Sequence, residues 1–175
     1  MTQASDWALV ALGANLGDPW LQLREARAEL ESRLGATGVR ASSIWSSRPV
    51  DCPPASPDFL NAVLAFPITA SASARELLSN LQDVERAFGR YRSAGRNAPR
   101  TLDLDLLLFG DLIRSDPDCM VPHPRALQRR FVVEPATEVL PELIWPGTSD
   151  SLAVWCASLR DDPAQSEIAR APRQW

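Results

Sequence analysis

The chain has 175 residues, a net charge of −4 and 45% hydrophobic residues, a size and balance that predict one globular domain, 1–175, with its own core. The acid excess argues against a broad grip on nucleic acid, which depends on cationic side chains, and apolar runs such as Leu106-Leu107-Leu108-Phe109 are too short to cross a bilayer. All eighteen basic residues are Arg and none is Lys, which excludes a Walker-A loop, a protein-kinase ATP-pairing lysine and Schiff-base chemistry.

Residues 7–12 read as a short buried strand that ends at Gly13-Ala14-Asn15-Leu16-Gly17. Asp18 then suits an N-cap with Pro19 at the first helical position, Leu23, Ala26 and Leu30 recur at helical spacing, and Gly35 is placed to end the helix. A second strand is expected over 39–45, followed by a Pro-rich loop, 49–57, that cannot sustain a ladder. Residues 59–68 read as a third strand. Ser73 and Glu76 form a capping-box pattern opening a helix with Leu77, Leu81, Val84 and Phe88 on one face, and Gly89 stops it. The fourth strand is expected over 101–109.

Strand, helix, strand, strand, helix, strand is the split βαβ order. It predicts an α+β fold with a ferredoxin-like βαββαβ core, in which helices pack on one face of a largely antiparallel sheet. Beyond Gly110 a long loop, a helical stretch near 130–140 and a short helix near 151–159 should follow, with the last dozen residues fraying. Nothing at Met-Thr-Gln-Ala-Ser-Asp resembles a secretory leader, and Cys52, Cys119 and Cys156 lack paired spacing. Reduced thiols and a cytoplasmic location are therefore expected.

Asp103 and Asp105 stand two apart on the fourth strand, so their carboxylates share a side while Leu102, Leu104 and Leu106 face the other way. Paired like charges call for a cation, and hard oxygen ligands suit Mg²⁺ held jointly with substrate phosphates. Asp-Leu-Asp alone equally describes a strand with one wet face. Its neighbourhood is sharper: Arg86, Arg90, Arg92, Arg96 and Arg100 precede the pair with no acid between Arg86 and Asp103. Forked guanidinium donors fit phosphate oxygens, although a basic helix end followed by a solvated loop would look the same. His123 is the only histidine, set between prolines, and a lone histidine is more often structural than catalytic. Asn61 needs hydrogen-bond partners if buried, and Phe59 and Phe131 read locally as core.

Gly-Ala-Asn-Leu-Gly at 13–17, Pro-Asp-Phe-Leu-Asn-Ala at 57–62, Arg-Asn-Ala-Pro-Arg-Thr-Leu-Asp-Leu-Asp at 96–105 and Val-Pro-His-Pro at 121–124 occur in one order. Together they resemble the hydroxymethyl-dihydropterin pyrophosphokinases over about 7–146, leaving a C-terminal extension, 147–175. The long segment ending Asp-Leu-Asp carries most of the resemblance.

It implies transfer of diphosphate from ATP to the hydroxymethyl oxygen of 6-hydroxymethyl-7,8-dihydropterin in folate biosynthesis. It further implies two Mg²⁺ ions on Asp103 and Asp105, catalytic Arg90 and Arg100, and ATP contacts from Gln82, Glu85, Arg92, His123 and Arg129. Asn61 would bond the pterin edge, Phe59 and Phe131 would stack on its faces, and backbone near Arg48 to Asp51 would complete the pocket. The loops 49–57 and 89–100 would close over the substrates. A monomer is expected, with no nucleic-acid or membrane partner.

Asn97, Asp118, Met120 and Asp51-Cys52-Pro53-Pro54 depart from familiar members, and bear on the ATP contacts and on the pterin loop. Two other classes use similar residues: a two-metal phosphohydrolase, which passes the phosphoryl group to water, and a ferredoxin-like module that binds nucleotide without turnover.

Overall fold

The computed structural model describes residues 6–50, 52–53, 55–89 and 101–175. Strand β1 (Trp7–Ala14) leads into helix α1 (Pro19–Leu34), short strands β2 (Arg40–Ala41) and β3 (Trp45–Ser47), strand β4 (Phe59–Pro67) and helix α2 (Ala74–Ala87). Strand β5 (Asp103–Phe109), a hairpin of β6 (Arg114–Asp116) and β7 (Cys119–Val121), helices α3 (Arg130–Val139) and α4 (Leu152–Arg160), and strand β8 (Ile168–Arg170) complete it.

The main sheet runs β5-β1-β4-β3-β8, with β2 also pairing β4, and its pairings are antiparallel. Its first four strands follow the ferredoxin-like order, so the expected α+β class holds. One face is closed by α1 and α2, which bury Leu23, Leu30, Leu81 and Val84 against Val10, Leu12, Leu64 and Leu104. Each such fully buried side chain contributes roughly 1.5–3 kcal/mol of burial. The helices are not confined to that face, because α3 and α4 cover Leu9, Val63, Ala65, Leu107 and Leu108 on the other side. Two adjacent leucines of β5, 107 and 108, join this second core where the β1/β5 register shifts.

Helix ends follow the local chemistry. Asp18 Oδ1 accepts the Leu21 N–H at 3.1 Å, and Gly35 closes α1 in the left-handed region at φ 54°, where a residue without Cβ is favoured. Ser73 Oγ accepts the Glu76 N–H at 3.3 Å and donates to Glu76 Oε2 at 2.9 Å, so Ser73 caps α2 as expected.

Three further expectations change. The long loop expected beyond Gly110 holds the β6/β7 hairpin. The single strand over 39–45 is broken into β2 and β3 at Ser42. There the backbone N–H donates to Val63 O while the side-chain Oγ, in place of a carbonyl, accepts the Val63 N–H, both at 2.9 Å. The last dozen residues do not fray either. β8 pairs with β3, Gln174 bonds both backbone groups of Ile44, and Trp175 Nε1 donates to Ser42 O at 2.6 Å. Among the described residues no helix is long and apolar enough to cross a membrane, and Cys52, Cys119 and Cys156 are free thiols.

Candidate functional site

β1 lies between β5 and β4 in the sheet, and its register sets up the site. Gly13 is opposite Asn61 on β4 and Asp103 on β5, while Ala11 is opposite Val63 and Asp105. Side chains two apart share a face, so both carboxylates rise beside a floor made of the smallest side chains available. A Cβ built on Gly13 would stand 3.7 Å from Asn61 Oδ1, which places that oxygen over the glycine. On the reverse face Leu102, Leu104 and Leu106 are buried in the α1/α2 core.

Above this floor is an open cleft lined by Asp103, Asp105, Asn61, Phe59, Phe131, Arg129 and Arg48. Asn61 is 6% exposed, and its Nδ2 donates to Ser47 Oγ at 2.9 Å. Its amide is thereby oriented, with Oδ1 left as an acceptor toward the cleft. The Arg129 guanidinium lies 5.6 Å from the Phe131 ring centroid, a cation–π distance. Arg48 forms a loose, exposed ion pair with Glu167 at 3.6 Å.

The remaining described residues of the expected site lie around this cleft and do not line it. Glu85, 2% exposed, accepts the Leu104 N–H with Oε1 at 2.8 Å. It thus holds the backbone between the two aspartates at the edge of the sheet, where among the described residues no further strand pairs with β5. Gln82 is half-buried on α2, and its carbonyl accepts from Arg86 Nε at 3.3 Å. Arg86 is also paired with Asp83, so it is engaged on its own helix.

His123 Nδ1 accepts the Arg125 N–H at 3.2 Å, which leaves Nε2 as the donor of the neutral ring. Burial pulls the His123 pKa below its ordinary value. Arg129 and Arg125 push the same way, and the opposing pull of Asp105 and Asp103 does not reverse it. Arg90, Arg92, Arg100 and Asp51 lie outside the described residues.

The donor set fits Mg²⁺. Among the described residues no group of three or more His, Cys, Asp or Glu could hold a metal alone. What the cleft presents is two carboxylates on its lining, and Mg²⁺ is usually bound by one or two carboxylates plus substrate phosphates. Three features of the site were not read from the sequence: the Gly13 and Ala11 floor, the Ser47 partner of Asn61, and the cleft position of Cys52. The first follows once strand pairing is known, since Gly13, Asn61 and Asp103 are one row of the sheet.

Fold and cleft together describe an α+β protein with an open cleft, lined by two aspartates and two arginines, on a sheet face that helices otherwise cover. The chain belongs to the 7,8-dihydro-6-hydroxymethylpterin-pyrophosphokinase family, whose model matches residues 9–141. It is similar to the 2-amino-4-hydroxy-6-hydroxymethyldihydropteridine pyrophosphokinase of Bacillus subtilis, 37% identical over 153 residues that cover 85% of this chain and 89% of the relative. The protein of the same name from Pseudomonas aeruginosa is 37% identical over 137 residues, covering 78% and 82%. Among solved structures it resembles an HPPK-DHPS chain in complex with substrates, at a TM-score of 0.65 and 11% identity. That likeness covers 88% of this chain but only 43% of the other, so this chain spans less than half of it.

Proposed function

We propose that this chain transfers the diphosphate of ATP to the hydroxymethyl oxygen of 6-hydroxymethyl-7,8-dihydropterin, giving AMP and the pterin diphosphate in tetrahydrofolate biosynthesis. The observation that carries the reading is the convergence of Asp103, Asp105, Asn61 and Phe131 on one cleft, in a chain of this family. In the reaction the pterin alcohol oxygen bonds to the β-phosphorus while the bond from that phosphorus to the α,β-bridging oxygen breaks. AMP departs with that oxygen, and the alcohol proton passes to solvent.

Asp103 and Asp105 hold Mg²⁺, two ions in this reading. The metal supplies positive charge that neutralises phosphate oxygens and the developing negative charge. The protein's own share is positioning and electrostatics, with no obligatory side-chain base. Asn61 Oδ1 accepts from the donor edge of the pterin, and its orientation is preset by Ser47. Phe59 and Phe131 stack on the ring faces, and Arg48 with Asp51 closes the loop side.

Neutral His123 offers Nε2–H to a nucleotide phosphate, and Arg129 adds fixed positive charge beside it. Gln82, Glu85 and Arg92 are assigned to the ATP side, Glu85 acting through the Leu104 backbone. Arg90 and Arg100 clamp the phosphates, where loss of a single such arginine costs roughly 10³-fold or more. We extend the reading to a single catalytic domain acting as a cytoplasmic monomer, without nucleic-acid or membrane partners.

Incubation with ATP, Mg²⁺ and the pterin alcohol, followed by chromatographic separation of nucleotides, tests it. AMP should form only when the pterin is present. Release of ADP or phosphate from ATP alone would instead identify a hydrolase.

A further inference from the structure

Residues 161–175 lie beyond the stretch matched by the family model, yet they reach both walls of the cleft. At one wall β8 pairs with β3 and sets Ile168 opposite Ser47, the residue that orients Asn61. Glu167 sits beside Arg48. At the other wall Gln165 Oε1 accepts the Arg130 N–H at 3.0 Å, and Gln165 Nε2 donates to Gln128 O at 3.2 Å. Arg129 lies between those two contacts and Phe131 directly follows, and both line the cleft.

Helix α3 has an unmet need at this point. Its N-cap is Arg129, which makes no side-chain capping bond, and first-turn N–H groups have no partner within the helix. Gln165 supplies an acceptor from 35 residues away. The segment is also anchored past β8, where Ala171 N–H donates to Ile44 O at 2.8 Å. Gln174 accepts from Ile44 N at 2.7 Å and donates to Ile44 O at 3.1 Å. A strap fixed to β3 is therefore continuous with a side chain, Gln165, that caps α3.

We propose that residues 161–175 position the pterin pocket, and that Gln165 is the positioning residue that sets Phe131 and Arg129 relative to Asn61. This rests on assigning the cleft to the pterin. The two walls belong to elements distant in sequence, β3 with β4 and the start of α3, and ring stacking between them requires a fixed separation. The strap ties those walls together. Asp103 and Asp105 stand on β5, which the strap does not pair with among the described residues, so its influence falls on the pterin and not on the metal, while Arg129, assigned to the nucleotide, carries a smaller effect on ATP.

The test uses the full-length protein with Gln165→Leu, which removes both donor and acceptor at similar size. Pterin affinity is read by fluorescence titration of 6-hydroxymethyl-7,8-dihydropterin, beside ATP affinity, kcat and Tm, with Phe131→Ala as the reference for pocket loss. The expected result is a pterin Kd and KM raised roughly fivefold, the scale of losing a helix cap, with kcat unchanged and ATP affinity, through Arg129, moved by less. Gln174→Ala, which releases the far anchor, should move pterin Kd the same way by less.

A lower Tm with unchanged pterin Kd in both variants would make the strap purely structural and overturn the proposal while leaving the cleft assignment standing. An equal loss of ATP and pterin affinity would overturn it as well. If Phe131→Ala itself leaves pterin Kd unchanged, the cleft assignment fails and the proposal falls with it.

Discussion

The two ends of one sheet face carry opposite chemistry. Toward one end Leu9, Val63, Ala65, Leu107 and Leu108 give α3 and α4 an apolar bed and are sealed. Toward the other, Ala11 and Gly13 offer almost no side chain, flanked by Asn61, Asp103 and Asp105, and an open cleft remains. The β1/β4 pairing is continuous through both ends, while β1/β5 shifts register between Leu9 and Val10, and side-chain size and polarity then decide where a helix packs and where a ligand can sit. Burial of apolar area holds the first end together. At the second, burying carboxylates without a cation would be costly, and they stay half-exposed.

The sharpest way to break this contrast is to neutralise the polar end. Asp103→Asn or Asp105→Asn should reduce AMP formation by about 10³-fold or more while stability moves by less than about 1 kcal/mol, measured by nucleotide chromatography and calorimetry. Unfolding with loss of activity would mean that the aspartates are structural. The reverse experiment cuts the sealed end: Leu9→Ala on β1, fully buried, should cost about 2–5 kcal/mol by denaturant unfolding. Its activity at low temperature should persist. At the cleft wall, Phe131→Ala should raise pterin Kd by about tenfold through lost stacking area with little change in ATP affinity, read by parallel titrations.

The smallest effect concerns pH and the sealed end. Glu134 of α3 is 4% exposed and is bound by Arg160 of α4 and by Arg130. Burial would raise its pKa, but the two arginines overcome that and hold it below the ordinary 4.5. A carboxyl with a depressed folded-state pKa stabilises above its unfolded value and loses that contribution as pH falls through the folded one. Tm should therefore show a Glu134-dependent decline only below about pH 4.5, which Glu134→Gln removes. A decline at pH 6 in the wild type but not in the variant would contradict the assignment.

Much of this organisation could be read from local pattern. The Asp103/Asp105 alternation against Leu102, Leu104 and Leu106 needs only the two-residue period of a strand, and the structure divides those side chains between cleft and core accordingly. Asp18, Gly35 and Ser73 act within four residues of their own positions, so the helix ends were equally visible. What escaped depends on partners far along the chain. Ser42 breaks a strand because its hydroxyl replaces a carbonyl opposite Val63, and Trp175 is held by a backbone oxygen 133 residues earlier. Glu85 looks like a polar helix residue until β5 is packed beside it, when it becomes the acceptor for Leu104.

The central claim is that Asp103 and Asp105 together anchor divalent cations against a nucleotide tail. A crystal of the protein grown with Mg²⁺ and a non-hydrolysable ATP analogue tests it most directly. The account expects metal density touching both carboxylates and the phosphate oxygens. A bound nucleotide with no ion at either aspartate would contradict it.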